Sequence, residues 1–185
     1  MSRGDRPAPR TPEADLVRSA ARYLEGLGYR VRVDPDGNDY FDLVARRGEE
    51  VGLVEAKVGD ARAVLAQALK RRGWGDWTAV LLGSPRAAER LCERTRGTRA
   101  EPVGIWSFRD ARVTVLREAR PWVAPGVPDP FAGLRERFRR ILDALDSGEL
   151  PADARWDGVL REVRRASGGR GFGEWRLDEP STGDP

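Results

Sequence analysis

The sequence contains no histidine and a single cysteine, Cys92. These absences exclude Ser-His-Asp and Cys-His catalysis, histidine-ligated metal sites, cysteine-cluster zinc sites and disulfides within the chain. Any hydrolytic chemistry must therefore depend on carboxylates, on lysine and on metal ions that prefer oxygen ligands, such as Mg²⁺ or Mn²⁺.

Long apolar runs are also lacking. No stretch approaches the roughly 18 to 20 residues that span a bilayer, and the start MSRGDRPAPR has no apolar core of a secretory signal. The sequence therefore predicts a cytoplasmic protein with no membrane partner. Its 185 residues can hold one ordinary domain with a hydrophobic core and a small appendage.

Lysine is scarce, because Lys57 and Lys70 are the only two lysines among 33 basic residues and all the others are arginine. The net charge of +3 and the isoelectric point near 9.5 permit nucleic-acid binding without requiring it. A GC-rich genome would also enrich arginine. A basic residue placed arbitrarily would almost always be arginine here, so a lysine at position 57 indicates a chemical requirement.

Hydrophobic periodicity predicts the order helix, three strands, helix, strand, helix, two strands. The first helix starts at Glu13 and ends at Gly28. The strands YRVRVD, YFDLVARR and EEVGLVEAKVG follow, with the turn DPDGND between the first two. A helix over 61–72, the strand WTAVLLGS, a helix over 85–95 and the hairpin of VGIWSF and ARVTVLRE complete the order. This order predicts an α/β fold with a mixed central sheet flanked by helices.

Four prolines within residues 121–130 predict a linker between a domain at 13–120 and a small, mainly helical C-terminal extension at 131–177. The extension contains helical patterns in FAGLRERFRRILDALD and WDGVLREVRR, and then the glycine-rich GGRGFGEWRL. It suits a winged-helix-like DNA reader with Arg164, Arg165 and Arg170 toward phosphates, a helical pair packed on the first domain, or a dimer contact. Residues 1–12 and 178–185 are polar and predicted to be disordered.

The third predicted strand carries an acid and an amine on one face, because Glu55 and Lys57 are two residues apart. If the preceding strand is its hairpin partner, Asp42 lies near Glu55 in one register and away from it in another. Neighbouring carboxylates are costly to keep charged unless a cation neutralises them. Mg²⁺ or Mn²⁺ could take oxygens from Asp42, from Glu55 and from the carbonyl of Ala56, and would promote phosphodiester hydrolysis. Lys57 could orient the attacking water or stabilise the transition state.

This motif resembles that of a nuclease superfamily. Asp42 is followed by twelve residues and then by Glu55-Ala56-Lys57, with a predicted helix on either side of the motif. The arrangement is similar to that of the PD-(D/E)xK superfamily, which includes restriction enzymes, Holliday-junction resolvases and repair nucleases. The resemblance covers residues 13–118. Within this range, QALKRRGW and the strands after it look more narrowly like uncharacterised bacterial members of the superfamily. It implies a restriction-endonuclease-like fold and metal-dependent hydrolysis of DNA in repair, recombination or defence.

The resemblance also implies roles for individual residues. Asp42 and Glu55 would bind the metal, Mg²⁺ or Mn²⁺, and Lys57 would assist catalysis. Glu13 on the first helix would support the metal, and Gln67 on the second helix would help to position the site. An acid in the first turn of a helix and a glutamine beside an apolar face also occur for structural reasons alone.

Two positions depart from the superfamily pattern. Phe41 stands where the motif can have proline before the aspartate, and Arg71 stands four residues after Gln67, where some repair nucleases have tyrosine. The run Lys70, Arg71 and Arg72 either binds nucleic-acid phosphates or is a solvated helix end.

Three functions remain open from the sequence. The first is a magnesium-dependent DNA endonuclease, which acts alone or as a homodimer. The second is a catalytically inactive relative that keeps the fold and binds nucleic acid equally well with or without divalent metal. The third is a protein-interaction module, which would show no salt-dependent binding to DNA.

Overall fold

The structure of the protein is a computed structural model that describes residues 12–33, 41–124 and 126–150. These residues form an α/β fold with one mixed sheet of six strands and four helices. The order of the elements is the one that hydrophobic periodicity predicts. The DPDGND turn, both termini, and the second helix and glycine-rich segment of the predicted extension lie outside the described residues.

The helices and strands follow the predicted boundaries closely. The four helices are α1 (Pro12–Gly26), α2 (Ala61–Arg71), α3 (Pro85–Arg94) and α4 (Ala132–Ser147). The strands are β1 (Arg30–Val33), β2 (Leu43–Arg47), β3 (Glu50–Lys57), β4 (Trp77–Leu82), β5 (Gly104–Arg109) and β6 (Arg112–Arg117). α1 begins at Pro12 rather than Glu13, because proline suits the first turn of a helix. Gly148 caps the end of α4, and its φ of +81° is the left-handed conformation that glycine adopts most easily. None of the described helices is long and apolar enough to cross a bilayer.

The strands lie in the sheet in their order along the chain, from β1 to β6. The first three strands pair in antiparallel fashion, β3, β4 and β5 are parallel, and β6 returns antiparallel to β5. α2 and α3 are the crossover helices that parallel neighbours require.

The helices cover both faces of the sheet. α1 packs on one face in a cluster that includes Val54 and Ala56 of β3. The other three helices cover the opposite face, where Val51 and Leu53 of β3 contact the cluster around α4. Because side chains alternate along a strand, Glu55 lies on the same face as Leu53, toward α2 and α4.

α4 packs directly against the sheet. Its buried side chains share one cluster with residues of β2 and β3 and of the loops beside them: Leu134, Phe138, Ile141, Leu142, Leu145, Phe41, Val44, Val51, Leu53 and Trp74. The segment predicted as a linker is also attached, because the indole N–H of Trp122 donates to the hydroxyl of buried Thr78 at 3.1 Å. α4, the first helix of the predicted extension, therefore packs on the sheet of the domain at 13–120.

Candidate active site

The register of β2 and β3 places two acids side by side. Leu43 is opposite Val54, so Asp42, the residue before β2, comes opposite Glu55 near the end of β3. The backbone N–H of Ala56 donates to Oδ2 of Asp42 at 2.7 Å and fixes this carboxyl at the strand end. The register that the sequence left open is therefore the one that brings both carboxylates together.

Glu55 is fully buried, with an exposed fraction of 0%. Its Oε2 pairs with the guanidinium of Arg71 on α2, whereas Oε1 accepts no hydrogen bond from any described residue. Burial raises the pKa of Glu55 to about 7, against the effect of the Arg71 charge and with a further increase from Asp42. Buried carboxylate oxygens normally have donors. An acid with a raised pKa and one unsatisfied oxygen is a candidate functional group.

Asp42 is half-buried, and charged residues on α1, α2 and β3 influence its pKa. Burial raises its pKa, and the charge of Glu13 adds to that rise. The hydrogen bond from Ala56 and the positive charges of Arg71 and Lys57 oppose the rise. These charged groups therefore belong to one electrostatic unit at the end of β3.

Lys57 forms an ion pair with Glu13. Its Nζ donates to Oε1 of Glu13 at 2.8 Å, and the side chains are 33% and 38% exposed. β3 ends at Lys57, so the side chain can pass round the end of the sheet to the start of α1 on the other face. The hydrogen bond to Glu13 raises the pKa of Lys57 despite partial burial. Lys57 is therefore a fixed positive charge at neutral pH and not a general base.

Gln67 and Arg71 lie on the same side of α2, because they are four residues apart. Arg71 reaches Glu55, so Gln67 faces the site from one turn earlier in the helix. The side-chain oxygen Oε1 of Gln67 is buried and accepts no hydrogen bond within the described part of the chain. The side of α2 that faces the site thus carries another buried oxygen without a donor.

The three basic residues at the end of α2 have different surroundings. Lys70 is exposed, the guanidinium of Arg72 lies 5.9 Å from the centre of the Phe131 ring, and Arg71 turns inward to Glu55. Sequence reasoning named Arg71 as a candidate phosphate-binding residue and missed its pairing with Glu55. The available signal was its spacing from Gln67, because a helix places both residues on one side.

The predicted metal ligands Asp42, Glu55 and Ala56 do lie together, since Asp42 is opposite Glu55 and bonded to the backbone of Ala56. They supply two carboxylates and one carbonyl. No larger group, with three or more Asp, Glu, His or Cys residues placed to hold a metal ion, exists among residues 12–33, 41–124 and 126–150. Glu13 contributes its carboxylate to Lys57 instead.

No protein-family model, curated protein or solved structure matches this chain. The resemblance of the motif to a nuclease superfamily is thus a matter of a few residues and their order. Support for a function has to come from the geometry of the site itself.

Proposed function

We propose that the protein hydrolyses phosphodiester bonds of DNA with a divalent metal and has a restriction-endonuclease-like fold. The observation that carries this proposal is the position of Asp42 opposite Glu55 at the end of β3, where Lys57 also lies. Two adjacent acids and a charged lysine are the groups that metal-dependent phosphodiester hydrolysis requires. A role in repair, recombination or defence suits this chemistry, and a homodimer would offer one site to each strand of a duplex.

The residues of the site fit a hard divalent cation. Mg²⁺ and Mn²⁺ prefer carboxylate and carbonyl oxygens, and Asp42, Glu55 and the carbonyl of Ala56 would hold the ion. Oε1 of Glu55 is buried without a donor, which leaves its lone pairs available for a cation. When bound, the ion would neutralise both acids and offset the charge that develops on the phosphate.

The surrounding residues of the chain hold these groups in place. The N–H of Ala56 fixes the carboxyl of Asp42, and Glu13 fixes the ammonium of Lys57 at the strand end. Lys57 keeps its proton, so it would bind the non-bridging oxygens of the phosphate and stabilise their charge. Gln67 would donate its amide N–H groups to the substrate or to a water, because it lies on the same side of α2 as Arg71, which reaches Glu55.

The test is cleavage of single-stranded, duplex and branched DNA in the presence of Mg²⁺ or Mn²⁺. We expect metal-dependent cutting by the wild type and its loss in both Asp42→Asn and Lys57→Ala. Asp110→Asn is the matched control, because Asp110 is an exposed turn residue with φ of +50°, a conformation that asparagine tolerates. Cutting that survives both site substitutions, or no cutting of any substrate by the wild type, would refute the proposal.

A second candidate function is metal-independent binding of nucleic acid. The observation that favours it is the ion pair of Arg71 with Glu55, which neutralises the buried acid without any metal. Such a protein would bind labelled DNA with the same affinity in Mg²⁺ and in EDTA, and the affinity would fall as salt rises. Fluorescence anisotropy in both conditions separates this candidate from the nuclease and from a protein-interaction module.

A further inference from the structure

The ion pair of Arg71 with Glu55 is more deeply buried than that of Lys57 with Glu13. The Arg71 side chain is 13% exposed and the Glu55 side chain 0%. The guanidinium carbon of Arg71 also lies 5.6 Å from the centre of the Phe41 ring. Arg71 is therefore held between an aromatic face and a buried carboxylate, and it occupies the α2 side of Glu55.

The location of Arg71 suits a cation for a second reason. It is the last residue of α2, where the partial negative charge of the helix end favours positive side chains. A guanidinium remains charged under all ordinary conditions. A permanent positive charge thus stands beside an acid that a metal ion would also need.

We propose that Arg71 is an internal cation that holds Glu55 in the absence of metal and must release it before the acid can bind a divalent ion. This inference rests on the proposed metal-dependent function. Two cations on one buried carboxylate repel each other strongly, because the local dielectric is low. Arg71 also takes Oε2 of Glu55 and leaves Oε1 as the oxygen without a donor.

The consequence is a free-energy cost of metal binding. Part of the binding energy of the ion is spent on displacing Arg71, so the metal affinity of the wild type is lower than that of the same site without the guanidinium. When no metal ion is present, Arg71 compensates the charge of the buried acid. An uncompensated buried charge would destabilise the fold. Arg71 is thus a positioning residue that acts through Glu55.

The experiment is a calorimetric titration of the full-length chain with Mn²⁺ at pH 8, paired with thermal denaturation in EDTA and in Mn²⁺. The variant is Arg71→Met, which replaces arginine by an unbranched apolar side chain and so removes the charge. We expect it to bind Mn²⁺ about tenfold more tightly than the wild type, a typical size for coupling between two bound groups. We also expect the variant to melt at a lower temperature than the wild type in EDTA and to show a larger rise in melting temperature when Mn²⁺ is added.

Two controls separate this effect from a general change in charge or packing. Arg62→Met removes one arginine from an exposed position on the same helix, and its affinity for Mn²⁺ should equal that of the wild type. The double variant Arg71→Met, Glu55→Gln removes both charges. It should regain stability in EDTA and bind Mn²⁺ more weakly than either the wild type or Arg71→Met.

The possible outcomes distinguish the inference from the function on which it rests. If the wild type binds Mn²⁺ and Arg71→Met binds it with equal affinity, the inference is wrong and the proposed function stands. If neither protein binds Mn²⁺, the metal-dependent function fails and the inference fails with it. Should Arg71→Met be unfolded in EDTA, Mn²⁺ should refold it, and a variant that stays unfolded in Mn²⁺ would overturn the inference.

Discussion

Glu55 and Asp76 are both partly or wholly buried acids that meet arginines, but they differ in how well their oxygens are satisfied. Oδ2 of Asp76 accepts from the N–H of Val51 at 2.8 Å, and one nitrogen of Arg139 donates to both of its carboxylate oxygens at 2.8 and 3.0 Å. Glu55 pairs with Arg71 through Oε2 and interacts with the neighbouring carboxyl of Asp42, and its Oε1 has no donor among the residues described.

The difference shows what each acid contributes. Asp76 joins α4 to the start of β3 with every oxygen engaged, as a carboxylate that stabilises a fold should. Glu55 carries the cost of burial without the full set of compensating hydrogen bonds. An acid retained at such a cost is better explained by chemistry than by stability, and substitutions at both residues can test this contrast.

The largest expected effect is on cleavage. Glu55→Gln should reduce metal-dependent cutting of DNA by about a thousandfold, because a metal clamp contributes several kcal/mol to the transition state. Asp76→Asn makes the same change of carboxylate to amide in the other region. Its folded molecules should cut at the wild-type rate, as measured in initial rates corrected for the folded fraction. Equal losses in both variants would contradict the contrast.

Removal of the Phe138 ring should give the largest loss of stability. Phe138 is completely buried between α4 and the sheet, so Phe138→Ala should cost about 4 kcal/mol of unfolding free energy, from lost burial and from the cavity. Urea denaturation measures it. Glu136→Gln, on the exposed side of the same helix, should change stability by less than about 0.5 kcal/mol. A small effect of Phe138→Ala would mean that α4 is only loosely attached.

The raised pKa of Glu55 predicts a dependence of stability on pH. Burial raises it from 4.5 to about 7, so between these values the unfolded chain has lost a proton that the folded chain still holds. Stability should therefore fall as pH rises from 4.5 to 7, by up to about 3 kcal/mol. Urea denaturation in EDTA at both pH values measures this loss. Glu55→Gln should remove it, and an unchanged pH dependence in that variant would show that another group is responsible.

Asp76→Ala should destabilise the protein by about 2 kcal/mol, the usual effect of losing hydrogen bonds to a charged group. A double-mutant cycle with Arg139→Ala isolates the interaction between the two residues. We expect a coupling of about 1 kcal/mol or more, because one nitrogen of Arg139 reaches both oxygens of Asp76. A coupling near zero would mean that α4 depends on its apolar contacts alone.

The smallest effect concerns Asp146 near the end of α4, and its sign is opposite to that of Glu55. Burial alone would raise the pKa of Asp146, but the hydrogen bond from Arg32 and the charges of Arg30, Arg32 and Arg46 lower it below 3.8. Its contribution is therefore present above pH 3.8 and lost as pH falls through the lowered pKa.

The variant Asp146→Asn tests this contribution. It should cost less than about 1 kcal/mol near neutral pH, because the ion pairs are partly exposed, and it should flatten the fall in stability toward acid pH. Urea denaturation at about pH 3 and near neutral pH compares the variant with the wild type. If the loss of stability toward acid pH is equally large in Asp146→Asn, other carboxylates are responsible for it.

Much of the fold was predictable, because the signals for its elements are local. The alternation in EVGLVEAK and the helical spacing of ARAVLAQALKR each describe a few neighbouring residues, and the structure has a strand and a helix at those positions. The same alternation predicts a shared face for Glu55 and Lys57, but the ammonium of Lys57 reaches Glu13 of α1, which packs on the other face. The family resemblance and the metal-dependent activity are not tested by these features and stay predictions.

The partners within the site were not predictable, because they come from distant parts of the chain. Asp42 bonds to Ala56 across 14 residues, and Lys57 bonds to Glu13 across 44. The first contact depends on the register of a hairpin, which moves every side chain to the other face if it slips by one residue. The second depends on how α1 is placed against the end of the sheet.

The amino-acid sequence alone excluded histidine-dependent catalysis and disulfides within the chain, because it contains no histidine and a single cysteine. It also determined the order of the elements. Only the tertiary structure decided that Asp42 stands beside Glu55 and that Arg71 already neutralises it. Composition and periodicity are properties of short segments, whereas the environment of a buried acid depends on every element that packs around it.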